Sequence, residues 1–214
     1  MRVSKFAATT LLFAASAAFG QVHVEFPDAG ESPATHQATT GGSPLLSIVG
    51  TIGAPVPGFD ADVYCIHVDD FSLFSATTLA GFDSQIFLFD MAGMAIAAND
   101  DGTFLGSPGI LPLGDPLYVG LPAGDYLLGI SSFDYDPVDA GGFEVLGDAF
   151  FGVEPPTAAG LAGPFVGFAG FGGGLGAYEV RLTGVSPCGA VIPLPSAGLM
   201  GLVGMGLVTL RRRR

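Results

Sequence analysis

Positive charge is nearly missing from this chain. Of 214 residues only seven are Lys or Arg, at Arg2, Lys5, Arg181 and Arg211 to Arg214. All 20 Asp and Glu lie between Glu25 and Glu179, so the stretch between the two ends has a formal charge of −19, one base against 20 acids. A surface of that sign repels phosphate backbones and anionic lipid, which argues against nucleic acid as a partner. It favours cations, or else it serves solubility and tolerance of salt. Tryptophan, which commonly lines sugar sites, is absent. The two cysteines, Cys65 and Cys188, cannot make a four-thiolate zinc site, and no CxxC is present. No GxSxG, HExxH or phosphate-binding glycine loop occurs; His23 and His36 lie in the polar stretch after the N-terminus, and His67, in a strand, has no nucleophile placed beside it in sequence. The chain therefore reads as non-catalytic, with a hydrolase whose Ser-His-Asp set or carboxylate pair assembles from distant positions as the lesser alternative. With 34 Gly and 16 Pro it is not a helical protein. At 49% hydrophobic and 13% charged it is not a wholly disordered one either.

What is present starts at the ends. MRVSKFAATTLLFAASAAFGQ has a short basic start, an apolar run from Phe6 to Phe19 and small residues after it. This is the pattern of a secretory signal peptide over residues 1–20, cut after Gly20 or Ala17. Roughly 14 apolar residues are few for a membrane span. In the oxidising compartment that export implies, a Cys65–Cys188 disulfide is expected, with two free thiols as the alternative. Closing so long a loop would add about 4–5 kcal/mol. At the far end, residues 187–195 are a Pro-rich linker, residues 196–210 an uncharged apolar run, and residues 211–214 a basic tail. The run is expected to form a C-terminal hydrophobic helix that enters the membrane, with Arg211, Arg212, Arg213 and Arg214 held inside. Fifteen residues at helical rise reach only about 22 Å against a hydrocarbon core of roughly 30 Å. Gly198, Gly201, Gly204 and Gly206 would give that helix a face for close packing.

Between the ends, residues 21–44 are polar and turn-rich and read as a leader without core character, with His23 and His36 in it. From Leu45 the text turns to short apolar runs bounded by Gly, Pro, Asp and Asn: SIVGTIG, DVYCIHVDD, LFSATTLAG, SQIFLFD, MAIAAND, PLYVGL, DYLLGISSF and AYEVRLTGV. Eight strands in roughly 140 residues predict an all-β fold, a single antiparallel β-sandwich. In DVYCIHVDD, Tyr64, Ile66 and Val68 share one face and Val63, Cys65 and His67 the other. In SQIFLFD both faces are apolar, which places that strand centrally with cover on both sides. In GAYEVRLTGV, Tyr178, Val180 and Leu182 alternate with Glu179, Arg181 and Thr183, a half-exposed strand where Arg181 should meet a carboxylate. Residues 141–176 hold twelve glycines and six phenylalanines. They are either a connection folded over the sandwich with its rings in the core, or an exposed aromatic loop for a partner or polysaccharide.

Oxygen ligands bunch at strand ends in FDSQIFLFDMAGMAIAANDDG, where Asp83, Asp90, Asn99, Asp100 and Asp101 are of the type calcium needs, although Asp and Asn also simply make turns. A second group, Asp134, Asp136 and Asp139 in SSFDYDPVDAGG, is either a cation site or a solvated loop. The succession DVY.I.V, D....LFD..G..IA.NDD, LPAGDYLLGISSF and GAYEVRLTG, from Asp60 to Val185, resembles the bacterial pre-peptidase C-terminal domain. The resemblance implies a jelly-roll-like β-sandwich over residues 45–186, non-catalytic, often stabilised by Ca2+, with a structural or adhesive role. Asp62 then matches the first-strand aspartate, and Asp90, Asn99, Asp100 and Asp101 match the hairpin acids. Residues 141–176 stand where the family has a short turn. The C-terminal order of short motif, apolar helix and basic end resembles the PEP-CTERM sorting signal, with Pro193-Leu194-Pro195 in place of Pro-Glu-Pro. That implies an exosortase-type transpeptidase as partner, transient anchoring in the inner membrane, and delivery to the cell surface or the extracellular polysaccharide matrix of a Gram-negative-type bacterium.

Overall fold

The computed structural model of the chain describes residues 20–53, 59–102, 108–147 and 151–189. The expected signal peptide up to residue 19, the motif at Pro193, Leu194 and Pro195, the apolar run 196–210 and the arginine tail lie outside the described residues. Among the described residues no helix is long and apolar enough to cross a membrane.

The fold is all-β, and its strands follow from period-two runs broken by turn residues. In chain order they are β1 (Gln21–Val24), β2 (Gln37–Ala38), β3 (Leu45–Ile52), β4 (Ala61–Val68), β5 (Ser75–Ala80), β6 (Ser84–Asp90) and β7 (Ala95–Asn99). There follow β8 (Ile110–Leu111), β9 (Gly124–Ser132), β10 (Tyr135–Val138), a single helical turn α1 (Ala158–Ala162), β11 (Gly167–Gly170), β12 (Gly176–Thr183) and β13 (Val185–Pro187). One sheet has the order β1-β3-β12-β5-β8, and the other β13-β4-β9-β6-β7 with β2 also on β4. Their facing sides share one core: Ile48, Ile52, Tyr178, Val180 and Leu182 from the first meet Tyr64, Ile66, Ile86, Leu88 and Leu128 from the second.

The second sheet is buried on its other side too. Val63 and Cys65 of β4, Phe87 and Phe89 of β6 and Leu127 of β9 pack there with Val145, Leu146 and Phe165 from the Gly/Phe-rich stretch. Phe165 stacks on Phe89 with ring centroids 4.1 Å apart, and Phe168 meets Phe87 edge-on at 5.7 Å. This stretch is held by an antiparallel pair, β10 on β11, so its glycine content does not prevent local order. Its rings divide: Phe165 and Phe168 face inward, whereas Phe143, Phe151 and Phe171 are exposed. The both-sides-apolar strand β6 indeed lies between β9 and β7, covered on each face. On β12 the alternation also holds, and Arg181 Nε meets Glu179 Oε1 of the same strand at 3.4 Å.

Two expectations fail. The stretch 21–44 is built into both sheets, β1 pairing with β3 and β2 with β4, each in parallel. Parallel pairing needs a long connection, and the residues between Val24 and Leu45 supply it by crossing from one sheet to the other. Polar side chains do the anchoring that apolar periodicity would have signalled: His23 Nε2 meets Gln37 Oε1 at 2.7 Å, and the Thr39 hydroxyl donates to Cys65 O at 2.7 Å. PLYVGL is not a strand but a run of turns, whose Tyr118 is buried and whose hydroxyl donates to Pro112 O. Asp115 starts it by accepting from Leu117 N at 2.9 Å, a turn device that outweighs the β propensity of Leu-Tyr-Val.

If residues 151–176 belong to the folded core, Phe165→Ala should cost about 3–5 kcal/mol of unfolding free energy. Phe171→Ala, at a ring 82% exposed, should stay within about 0.5 kcal/mol. Urea denaturation of both variants checks this; equal effects would contradict it.

Candidate cation site

The acids singled out by sequence do not gather in one place. Asp90 ends β6 and its Oδ1 accepts from Ala92 N and Met94 N, both at 2.9 Å, closing the hairpin turn. Asn99 pairs with Ile86, four residues back along β6, so Asp90 lies roughly 13 Å away at the other end of the hairpin. Asn99 is spent on backbone: its Oδ1 accepts from Ile110 N at 2.7 Å, and its amide donates to Gly152 O at 2.5 Å. Asp100 and Asp101 are buried beside it. Partial burial, and then the nearby Asp101, raise the carboxyl of exposed Asp83 above its usual range. Asp134 holds a left-handed turn (φ 62°) whose carbonyl accepts from Phe171 N at 2.7 Å. Asp136 is buried on β10, opposite Ala169 of β11. Asp139 Oδ1 accepts from Gly141 N and Phe143 N, a closed turn. Cys65 and Cys188 form a disulfide spanning 123 residues.

Asp62 stands apart from these. It continues the inward face of β4 that carries Tyr64, Ile66 and Val68, and it is fully buried between the sheets. Its Oδ2 accepts from the Tyr178 hydroxyl of β12 at 2.6 Å. Tyr64 lies 2.6 Å from the same Tyr178 oxygen, and since Tyr178 gives its proton to Asp62, Tyr64 donates to Tyr178. Asp62 Oδ1 is buried with no hydrogen-bond partner. An unpartnered buried carboxylate oxygen costs the full desolvation of an ionised group, so something else has to satisfy it.

Asp62 also stands among more negative charge. One carboxylate oxygen each from Glu25, Asp28 and Asp62 lie within 4.8 Å of one another. Glu25 is fixed by backbone: its Oε1 accepts from Ala29 N at 2.9 Å and its Oε2 from Thr51 N at 2.8 Å. Burial pushes the Asp62 carboxyl up to about 10, with Glu25 and Asp60 adding to the rise and the Tyr178 hydroxyl opposing it. Asp28 is raised by burial and then by Glu25. Burial and the charge of Asp62 raise the Tyr64 and Tyr178 hydroxyls as well. The one Lys or Arg among residues 20–189, Arg181, is paired with Glu179 elsewhere on the surface. No lysine or arginine of the folded body can neutralise the cluster. A proton on Asp62 or a cation from solution can, and the all-oxygen donor set suits a hard divalent ion.

Two contributors carried no sequence signal. Glu25 and Asp28 sit in the leader, where an isolated acid reads as solvated. Gly50, which reads as a turn residue in SIVGTIG, is in mid-strand on β3 opposite Tyr178. A Cβ there would lie 2.3 Å from the Tyr178 hydroxyl and 2.7 Å from Glu25 Oε2, so its missing side chain makes the room the cluster occupies.

In chelator the folded chain keeps a proton on Asp62 that the unfolded chain releases near the ordinary aspartate value of about 3.9. A folded pKa raised in this way makes stability fall as pH rises from about 5 to about 9, by up to roughly 1.4 kcal/mol per pH unit. Asp62→Asn, which still accepts from Tyr178 and cannot ionise, should flatten that slope and exceed the parent in stability near the alkaline end. Urea melts across pH in chelator test this, and a parent that grows more stable towards pH 9 would contradict it.

No family model matches the chain, and no curated protein or solved structure matches it.

Proposed function

We propose that the chain is a non-catalytic, exported cell-surface or extracellular-matrix protein: a jelly-roll-like β-sandwich of the pre-peptidase C-terminal type, stabilised by calcium, with a structural or adhesive role. The observation that carries this reading is the convergence of the Glu25, Asp28 and Asp62 carboxylates, one of which, Asp62, has a buried oxygen without a hydrogen-bond partner. Two of these acids come from the leader and one from the central sheet. A cation there ties the N-terminal segment to the sandwich, as a surface module needs if its ends are to bear load. The apolar C-terminal run with its arginines, read as a sorting signal for an exosortase-type transpeptidase, supports the surface placement, as does the −19 net charge of the body. Glu25, Asp28 and Asp62 would be the protein ligands of the ion, with water completing the six to eight oxygens that calcium takes.

A second reading has an observation of its own. Phe143, Phe151 and Phe171 are all exposed on the Gly/Phe-rich stretch, and exposed rings of this kind serve contact with glycan or protein. Glycan-array binding lost in a Phe143→Ser, Phe171→Ser double variant, with the melting temperature unchanged, would favour this reading.

An extracellular-type site of this charge should bind calcium at about 0.1–1 mM. At pH 8 in 10-fold to 100-fold excess over that affinity, calcium should stabilise by about 1.4–2.7 kcal/mol, a rise in melting temperature of roughly 3–10 °C. Chelator should reverse the rise, and Glu25→Gln or Asp28→Asn should reduce it. No shift with calcium in the parent would sink the reading.

A further inference from the structure

Away from that cluster, on the outer side of the second sheet, three sulfur atoms meet. Cys65 of β4 and Cys188, just past β13, are bonded with their Cα atoms 5.3 Å apart. Met91 in the β6–β7 turn places its Sδ 3.8 Å from Cys65 Sγ. Since a disulfide sulfur carries no proton, this is a sulfur–sulfur contact. One carboxylate oxygen of Asp125 on β9 lies within 4.8 Å of both cysteine sulfurs. Asp125 Oδ1 is itself held by His67 Nδ1 at 2.7 Å and by Gly189 N at 3.3 Å. The four groups come from different segments of the chain, pinned by the β4–β9 ladder and by Cys188 N donating to the Thr39 hydroxyl at 3.0 Å. Cys65 is buried, Cys188 is partly exposed and Met91 is 41% exposed, so an ion can reach the sulfurs from the Met91 side.

We propose that, in the dithiol form of the protein, Cys65, Cys188 and Met91 bind one cuprous ion, so that disulfide and metal are alternative occupants of one site. Two thiolates and a thioether are a soft donor set, which selects Cu(I) over the harder divalent ions. A Cα separation that suits a disulfide lets both thiolates reach one ion without moving the strands. Zinc is disfavoured, because a thioether adds little to a zinc site and His67 is not among the groups whose ligand atoms converge with the two sulfurs and Asp125. Asp125 places its negative charge beside the ion.

The chemistry balances in two steps. A small-molecule dithiol gives two electrons and two protons to the Cys65–Cys188 bond, leaving two thiols and becoming a disulfide itself. Cu(I) then binds both sulfurs as thiolates and releases the two protons. A small-molecule disulfide that takes two electrons from the cysteines and, with two protons from water, becomes a dithiol restores the Cys65–Cys188 bond and expels the ion. This site shares no residue with the calcium cluster, so either can fail alone.

The test uses the full chain, reduced with dithiothreitol and desalted under nitrogen, then titrated with Cu(I) against a chromophoric cuprous chelator. The oxidised chain serves as reference. The reduced parent should take one equivalent and the oxidised parent none. Met91→Leu, at a partly exposed turn, should keep its circular dichroism spectrum and bind roughly tenfold or more weakly. A Cys65→Ser, Cys188→Ser double variant should not bind. If reduction unfolds the chain, its thiols bind without regard to Met91. Equal affinity in Met91→Leu and parent therefore overturns the proposal, as does equal uptake by oxidised and reduced chains or no uptake by the reduced one.

Discussion

The sandwich is organised around one hydrogen bond that crosses it, from the Tyr178 hydroxyl of one sheet to the Asp62 carboxyl of the other. The facing sides are otherwise largely apolar, so this bond, its continuation to Tyr64 and the buried Thr78–Ser84 hydroxyl pair at 2.7 Å fix where the two faces sit relative to each other. A buried polar network of this kind is costly when incomplete and specifying when complete. It is incomplete on one atom, Asp62 Oδ1. The leader brings two further carboxylates to Asp62, and Gly50 leaves the space in which they meet. Those acids repel one another as bare charges. The same arrangement becomes favourable once a positive species joins them, which links the placement of the leader to the ionic conditions of the medium.

The second sheet is different in kind from the first. Its outer side is covered by the Gly/Phe-rich stretch and stapled by the disulfide, so β4, β6 and β9 are buried on both faces. The first sheet presents polar and charged side chains outward, as Glu179, Arg181 and Thr183 of β12 show. The molecule is thus layered as open sheet, core, closed sheet and aromatic cover. The rings that do not fit beneath the cover, Phe143, Phe151 and Phe171, remain on its surface.

Strand periodicity was legible wherever apolar residues carried it. The alternating faces of β4 and β12 and the two-sided burial of β6 could be read directly from DVYCIHVDD, AYEVRLTGV and SQIFLFD. What could not be read was held by polar atoms. The leader joins both sheets through His23, Glu25, Gln37 and Thr39, residues whose types ordinarily mark loops. PLYVGL has the composition of a strand and is overruled by the turn that Asp115 begins. The hairpin acids illustrate the same limit from the other side. Asp90 and Asn99 are nine positions apart in a pattern that looks like one ligand set, yet an antiparallel hairpin sends them to opposite ends. Asp62 was singled out by the resemblance alone, not by any local pattern. Its partners were not, because Glu25 and Asp28 reach it only through a parallel strand that no local pattern announces.

The central claim is that a hard cation completes the cluster of Glu25, Asp28 and Asp62. A crystal structure grown with calcium, with anomalous scattering collected after lanthanide exchange, tests it most directly. The account predicts a peak touching Asp62 Oδ1 and the Glu25 and Asp28 carboxylates, at about 2.3–2.6 Å for calcium. A cluster without a peak at saturating calcium, with Asp62 and Glu25 drawn together over a shared proton, would contradict it.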